Sequence, residues 1–151
     1  MTAARAGPPP PGAPWYRLGV TFARAVLVLG VLAWAGFGGM LLVWPERLAG
    51  VGLEVASPLA RIEVRGFYGG LELGLAAFLA WCTASVQRFR PGLVLCALAL
   101  GGTAGGRLAG IALEGGTTTA AMWGFVALEL CGAALCVAAL VRLAKAPAPA
   151  A

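Results

Sequence analysis

Long apolar stretches alternate with short polar ones along this chain, and four apolar runs stand out, at residues 25–44, 66–86, 93–113 and 117–141. The first, AVLVLGVLAWAGFGGMLLVW, has 20 residues and no charge. At 1.5 Å of rise per residue it covers roughly 30 Å, the hydrocarbon thickness of a bilayer. Each of the other three carries a single charged residue: Glu72, Arg107 and Glu129 in turn. In lipid only helices and closed barrels satisfy their own backbone, and unbroken runs of this length do not suit barrel strands. The pattern therefore predicts an all-α polytopic membrane protein, an antiparallel bundle of four transmembrane helices.

The one long connection, PERLAGVGLEVASPLARIEV at residues 45–64, has a different period. On a helical wheel Leu48, Val51, Val55, Leu59 and Ile62 gather on one side, and Glu46, Arg47, Glu54, Ser57 and Arg61 take the other. Pro45 suits a first helical position, and Pro58 is expected to break the segment in two. An amphipathic segment lying in the membrane interface is the expected form. Outside the 25–141 membrane domain, residues 1–24 form a Pro-rich tail and flank, and residues 142–151 form a short tail. Arg24, the apolar run and Ala33-Trp34-Ala35 also imitate a secretory signal, but the run continues nine residues past Ala35, which fits an uncleaved anchor better.

Composition agrees with a lipid address: 60% of residues are hydrophobic, 11% are charged, and mean hydropathy is +0.88. The net charge of +5 is spread between the apolar runs rather than gathered on one face, which excludes a nucleic-acid footprint. Its distribution speaks to topology instead. Arg5, Arg17, Arg24, Arg88, Arg90, Arg142 and Lys145 fall on one side, against Arg47, Arg61 and Arg65 on the other, so both termini are expected in the cytoplasm of an inner-membrane protein. There is no His and no Asp, which removes imidazole metal sites and any triad with a histidine base. The four cysteines, Cys82, Cys96, Cys131 and Cys136, lie in apolar runs without C-x-x-C spacing and read as inert buried thiols. No cofactor and no metal is implied.

Charges near the bilayer centre cost roughly 2.5–3.5 kcal/mol each even on a lenient scale, so Glu72, Arg107 and Glu129 need partners. Glu72 and Arg107 each lie about 9 Å from the outer ends of their runs, and antiparallel neighbours would bring them level. Glu129 lies deeper, about 18 Å down its run, within partial reach of a snorkelling arginine. Arg65, Tyr68 and Glu72 recur at helical steps and share a face. If Arg65 stays at the headgroups, one carboxyl has no cation, and Glu129 is the candidate. Two ridges of small residues, Gly66, Gly70 and Gly74 on the second run and Gly102, Gly106 and Gly110 on the third, are candidate helix-packing faces. Gly70 is 200° from Glu72 on the wheel, so tight packing on that ridge would turn Glu72 away from Arg107.

The block Arg65-Gly-Phe-Tyr-Gly-Gly-Leu-Glu72, the segment Gly106-Arg107-Leu108-Ala-Gly110, the amphipathic loop after Pro45 and the Glu of the last run together resemble the bacterial four-helix membrane family designated domain of unknown function 4345. The resemblance spans roughly residues 25–141. It implies a fold and a membrane address, and no catalytic residue. The residues favour a small non-enzymatic accessory or structural subunit. The alternative is a binder or carrier of a small solute, lipid or quinone, using Arg65, Tyr68, Glu72, Arg107 and Glu129 as an intramembrane polar cluster. Four short helices without an inverted repeat argue against a secondary transporter acting alone. The partners to be expected are the bilayer, further copies of the chain or a larger membrane complex.

Overall fold

In the computed structural model, residues 14–144 are described, and the tail residues 1–13 and 145–151 lie outside them. The described chain is helical, with no strand among these residues. It comprises α1 (Pro14–Val43), a 3-10 helix (Pro45–Val51), α2 (Pro58–Glu63), a π-helix (Val64–Gly70), α3 (Leu71–Thr83), α4 (Val86–Leu113) and α5 (Ala120–Ala144). Three of these, α1, α4 and α5, are long and apolar enough to cross a membrane. The backbone stays helical from α2 through the π-helix into α3, with Glu63, Gly70 and Leu71 at each junction in right-handed conformation.

Helix ends depart from the hydropathy pattern for local reasons. α1 begins eleven residues before the apolar run, with Pro14 as its first residue, and passes unbroken through Ala33-Trp34-Ala35. α4 absorbs residues 86–92, charged and containing Pro91, because Phe89 is fully buried and Gly92 packs against Cys82 and Leu27. Arg88 folds back along the chain, donating to the Trp81 carbonyl at 3.0 Å with its guanidinium 4.4 Å from the Trp81 ring. α5 starts three residues later than the apolar run, where the Thr119 hydroxyl accepts the Met122 amide at 3.2 Å as a cap. Between α4 and α5, Gly115 and Gly116 adopt φ of 65° and 85°, and the Gly116 amide returns to the Ile111 carbonyl at 2.8 Å.

α1 is the central element: it packs along the π-helix and α3 on one side and along α5 on another, while α4 lies along α5 and also touches α3. The main core gathers Leu27, Leu79, Phe89 and Leu93, all essentially without exposure. Cation–π contacts tie one end of the molecule together, Arg24 over Phe89 at 5.5 Å and Arg142 over Phe22 at 4.2 Å. The start of α1, the start of α4 and the end of α5 thus lie at one end.

At the other end the 45–64 connection breaks at Pro58, the first residue of α2, whose amide-side cap is the Ser57 hydroxyl. Its apolar positions divide. Leu48 is buried with Leu41 and Val64, with Val51 and Val55 packed against them, so this half closes the end of α1. Leu59 and Ile62 face outward, 74% and 62% exposed. A single apolar stripe does not survive, because the chain turns between the two halves.

Candidate functional site

Arg107 stands on α4, six residues from the helix end at Leu113, or about 9 Å in. Glu129 stands nine residues into α5, or about 14 Å in, because that helix begins at Ala120 rather than at 117. The remaining step of about 5 Å is within the reach of an arginine side chain. Arg107 Nε donates to both carboxylate oxygens of Glu129, at 3.1 and 3.2 Å. Nη1 lies 4.0 Å from the Met122 sulfur, and the guanidinium sits 5.4 Å from the Phe125 ring. The pair is asymmetric: the Arg107 side chain is 33% exposed and that of Glu129 12%.

The expected match of Arg107 with Glu72 is thereby corrected, as is the choice of Glu129 as the carboxyl without a cation. α4 packs most closely along α5, whereas the segment carrying Glu72 packs on α1. Glu72 is the carboxyl left over, and its Oε2 is buried without a hydrogen-bond partner. It sits beside Gly38 of α1, where a Cβ would stand 2.9 Å from the Glu72 Cβ and 3.0 Å from the Gly69 carbonyl oxygen.

Both carboxylates nevertheless meet at one cavity of about 160 Å³, walled by Trp34 and Phe37 of α1, Glu72 of α3, Thr103 of α4, and Phe125 and Glu129 of α5. Phe37 and Phe125 meet edge to face with centroids 6.4 Å apart. The Thr103 hydroxyl shares its proton between the Ala99 and Leu100 carbonyls, at 3.1 and 3.0 Å, so toward the cavity it is an acceptor. A second, nearly apolar crevice of about 260 Å³ between α1, α4 and α5 shares Ala33, Leu100 and Glu129 with the first.

The other expected site residues lie elsewhere. Arg65, on the π-helix, donates from Nε to the Leu42 carbonyl at 3.0 Å and so closes the end of α1. Tyr68 is 37% exposed and stacks edge-on with Phe67 at 5.7 Å. The π-helix explains why the shared face fails. The Leu71 amide bonds the Gly66 carbonyl five residues back, so steps of three and four no longer keep one face across residues 64–70. The glycine ridges also face away from the packing. Positions 66, 74, 102, 106 and 110 have nothing within 4 Å of a built Cβ, and Gly70 meets only the Arg65 carbonyl of its own turn at 3.6 Å. Close approach falls instead to Gly38 and to Gly69, whose Cβ would stand 3.2 Å from the Leu42 backbone.

A family model described as Domain of unknown function (DUF4345) matches residues 22–140. The chain belongs to that family. No curated protein and no solved structure matches it. The DUF4345 match runs from eight residues inside α1 to the last turns of α5 and so includes every residue of both cavities.

Within this DUF4345 chain, the walls that the apolar pattern concealed are Trp34, Phe37, Thr103 and Phe125. A signal for them was present. Phe125 precedes Glu129 by four, Thr103 precedes Arg107 by four, and Trp34 and Phe37 are three apart, so each shares a helix face with a site residue or with its neighbour. In an apolar run such spacings do not stand out, because every face is apolar. Among the described residues no group of three His, Cys, Asp or Glu is placed to hold a metal.

Proposed function

We propose that this DUF4345 protein is a four-span protein of the inner membrane, with both termini cytoplasmic, that binds a small amphipathic or lipid-like molecule between its helices and performs no chemistry on it. The observation that carries this reading is Glu72, a carboxyl lining a cavity without a cation of its own while the nearby Arg107 is held by Glu129. A polar side chain at membrane depth is costly, and one without a structural partner marks a functional position. The π-helix immediately before Glu72 supports the same reading, since such bulges recur at functional sites. The fourth span in this reading is the continuous helical backbone of residues 58–83. The inward count of arginines is supported by the common end shared by Arg24 and Arg142.

A second reading is a structural accessory subunit whose buried charges only hold the helices in register. It is favoured by the Arg107–Glu129 pair, which satisfies both partners within the chain. Purification of the full chain in mild detergent, followed by mass spectrometry of extracted small molecules, separates the two. The binding reading expects a stoichiometric lipid-like molecule that is lost from Glu72→Leu while the fold is kept. A copurifying protein with no such molecule, in both forms, would favour the accessory reading.

A further inference from the structure

The chemistry of the cavity wall selects a ligand class, and this step rests on the binding reading above. Three oxygen-bearing side chains face the cavity, and all three present acceptors: Glu72, the Glu129 carboxylate and the back-bonded Thr103 hydroxyl. Among the described residues the Arg107 guanidinium is engaged by Glu129, and Glu72 is a carboxyl with no cation paired to it. Around these oxygens stand the rings of Trp34, Phe37 and Phe125. A carboxylate among aromatic faces is the environment that recognises an ammonium group, through charge-assisted hydrogen bonds and attraction to the ring faces. An anionic head would instead meet the Glu72 carboxyl, which has no cation to offset it.

The adjoining crevice defines the remainder of the molecule. It is nearly apolar, it adjoins the head cavity and shares Ala33, Leu100 and Glu129 with it as wall residues, and its lining residues Leu29 and Leu128 are 59% and 71% exposed. A hydrocarbon chain fits such a slot between α1 and α5, and the exposed rim gives it a lateral entrance from the surrounding acyl chains. We propose that the site takes a cationic amphipath: an alkylammonium head seated against Glu72 and the rings of Trp34 and Phe37, with its hydrocarbon chain in the crevice between α1 and α5.

Trp34 reports on the head cavity directly. Full-length protein in phosphatidylcholine nanodiscs would be titrated with dodecylammonium, dodecanol and dodecanoate. The Trp34 signal is taken as the emission difference between the native chain and Trp34→Phe, which removes partitioning into the bilayer. The expected result is a saturable change with dodecylammonium, at a half-saturating membrane concentration at least about tenfold below that for dodecanol, and none with dodecanoate. In Glu72→Gln the ammonium advantage should fall to the level of the alcohol. The comparison of the three probes on the native chain stands even if that variant does not fold. Equal or tighter binding of dodecanol or dodecanoate would overturn the ammonium assignment and leave the binding reading in place. No saturable Trp34 change with any of the three would overturn both.

Discussion

Gly38 gives the sharpest test of how the helices pack. A methyl group there would stand 2.9 Å from the Glu72 Cβ, 3.0 Å from the Gly69 carbonyl oxygen and 3.1 Å from the Leu73 amide nitrogen. None of these atoms can rotate aside, since two belong to backbone and the third is the first carbon of its side chain. Gly38→Ala must therefore push α1 off the π-helix and α3. Overpacking of this kind costs about 1–3 kcal/mol, and unyielding neighbours set the value at the upper end. Gly106→Ala is the matched control: nothing lies within 4 Å, and replacing a mid-helix glycine gains up to about 1 kcal/mol. The two substitutions add the same methyl group and share that helix gain, so they should differ by the overpacking cost, about 3 kcal/mol. Thermal unfolding in one detergent, followed by circular dichroism, reads this out. At roughly 2–4 °C per kcal/mol and a net loss of about 2 kcal/mol, Gly38→Ala should melt about 4–8 °C below the native chain, and Gly106→Ala at or slightly above it. Equal stability of Gly38→Ala and the native chain would refute the close approach. A fall in Gly106→Ala as deep as that in Gly38→Ala would return the third-run glycines to the packing interface.

Arg107→Met leaves the largely buried Glu129 carboxylate without its donor and should destabilise the chain by up to about 3 kcal/mol, whereas adding Glu129→Leu should recover most of that loss; detergent unfolding of the single and double variants checks both. Glu72→Leu removes a buried oxygen that has no partner, so stability should be unchanged or slightly higher in the same assay, in contrast to Arg107→Met. For topology, in a background without native cysteines, Thr118→Cys in the α4–α5 connection should react with a membrane-impermeant maleimide added to intact spheroplasts. Ser85→Cys, in the α3–α4 turn at the opposite end, should react only after the membrane is opened.

Much of the architecture was legible because lipid simplifies the rules: an apolar run must be a helix, and its length against the bilayer is simple arithmetic. Helical content, the apolar character of α1, α4 and α5, the break at Pro58 and the family all follow from residues read in order. What order along the chain could not decide is which faces meet. An apolar run has no polar side to orient it, so Arg107 could not be assigned to Glu72 or Glu129 until α4 was seen along α5 and α3 along α1. Ridge spacing misdirected the packing for the same reason: Gly66, Gly70 and Gly74 lie in sequence register, but a five-residue backbone step between Gly66 and Leu71 rotates that face away and brings Gly69 against Leu42. Small shifts of helix ends mattered equally. Thr119 capping α5 at Ala120 raised Glu129 by three residues, about 4.5 Å, and so put it within reach of Arg107. Sequence alone determined that charges had been taken into an apolar protein; only the tertiary structure decided that Arg107 and Glu129 neutralise each other, leaving Glu72 at a cavity with no cation, because that outcome depends on helix neighbours and phase, which an all-apolar surface does not encode.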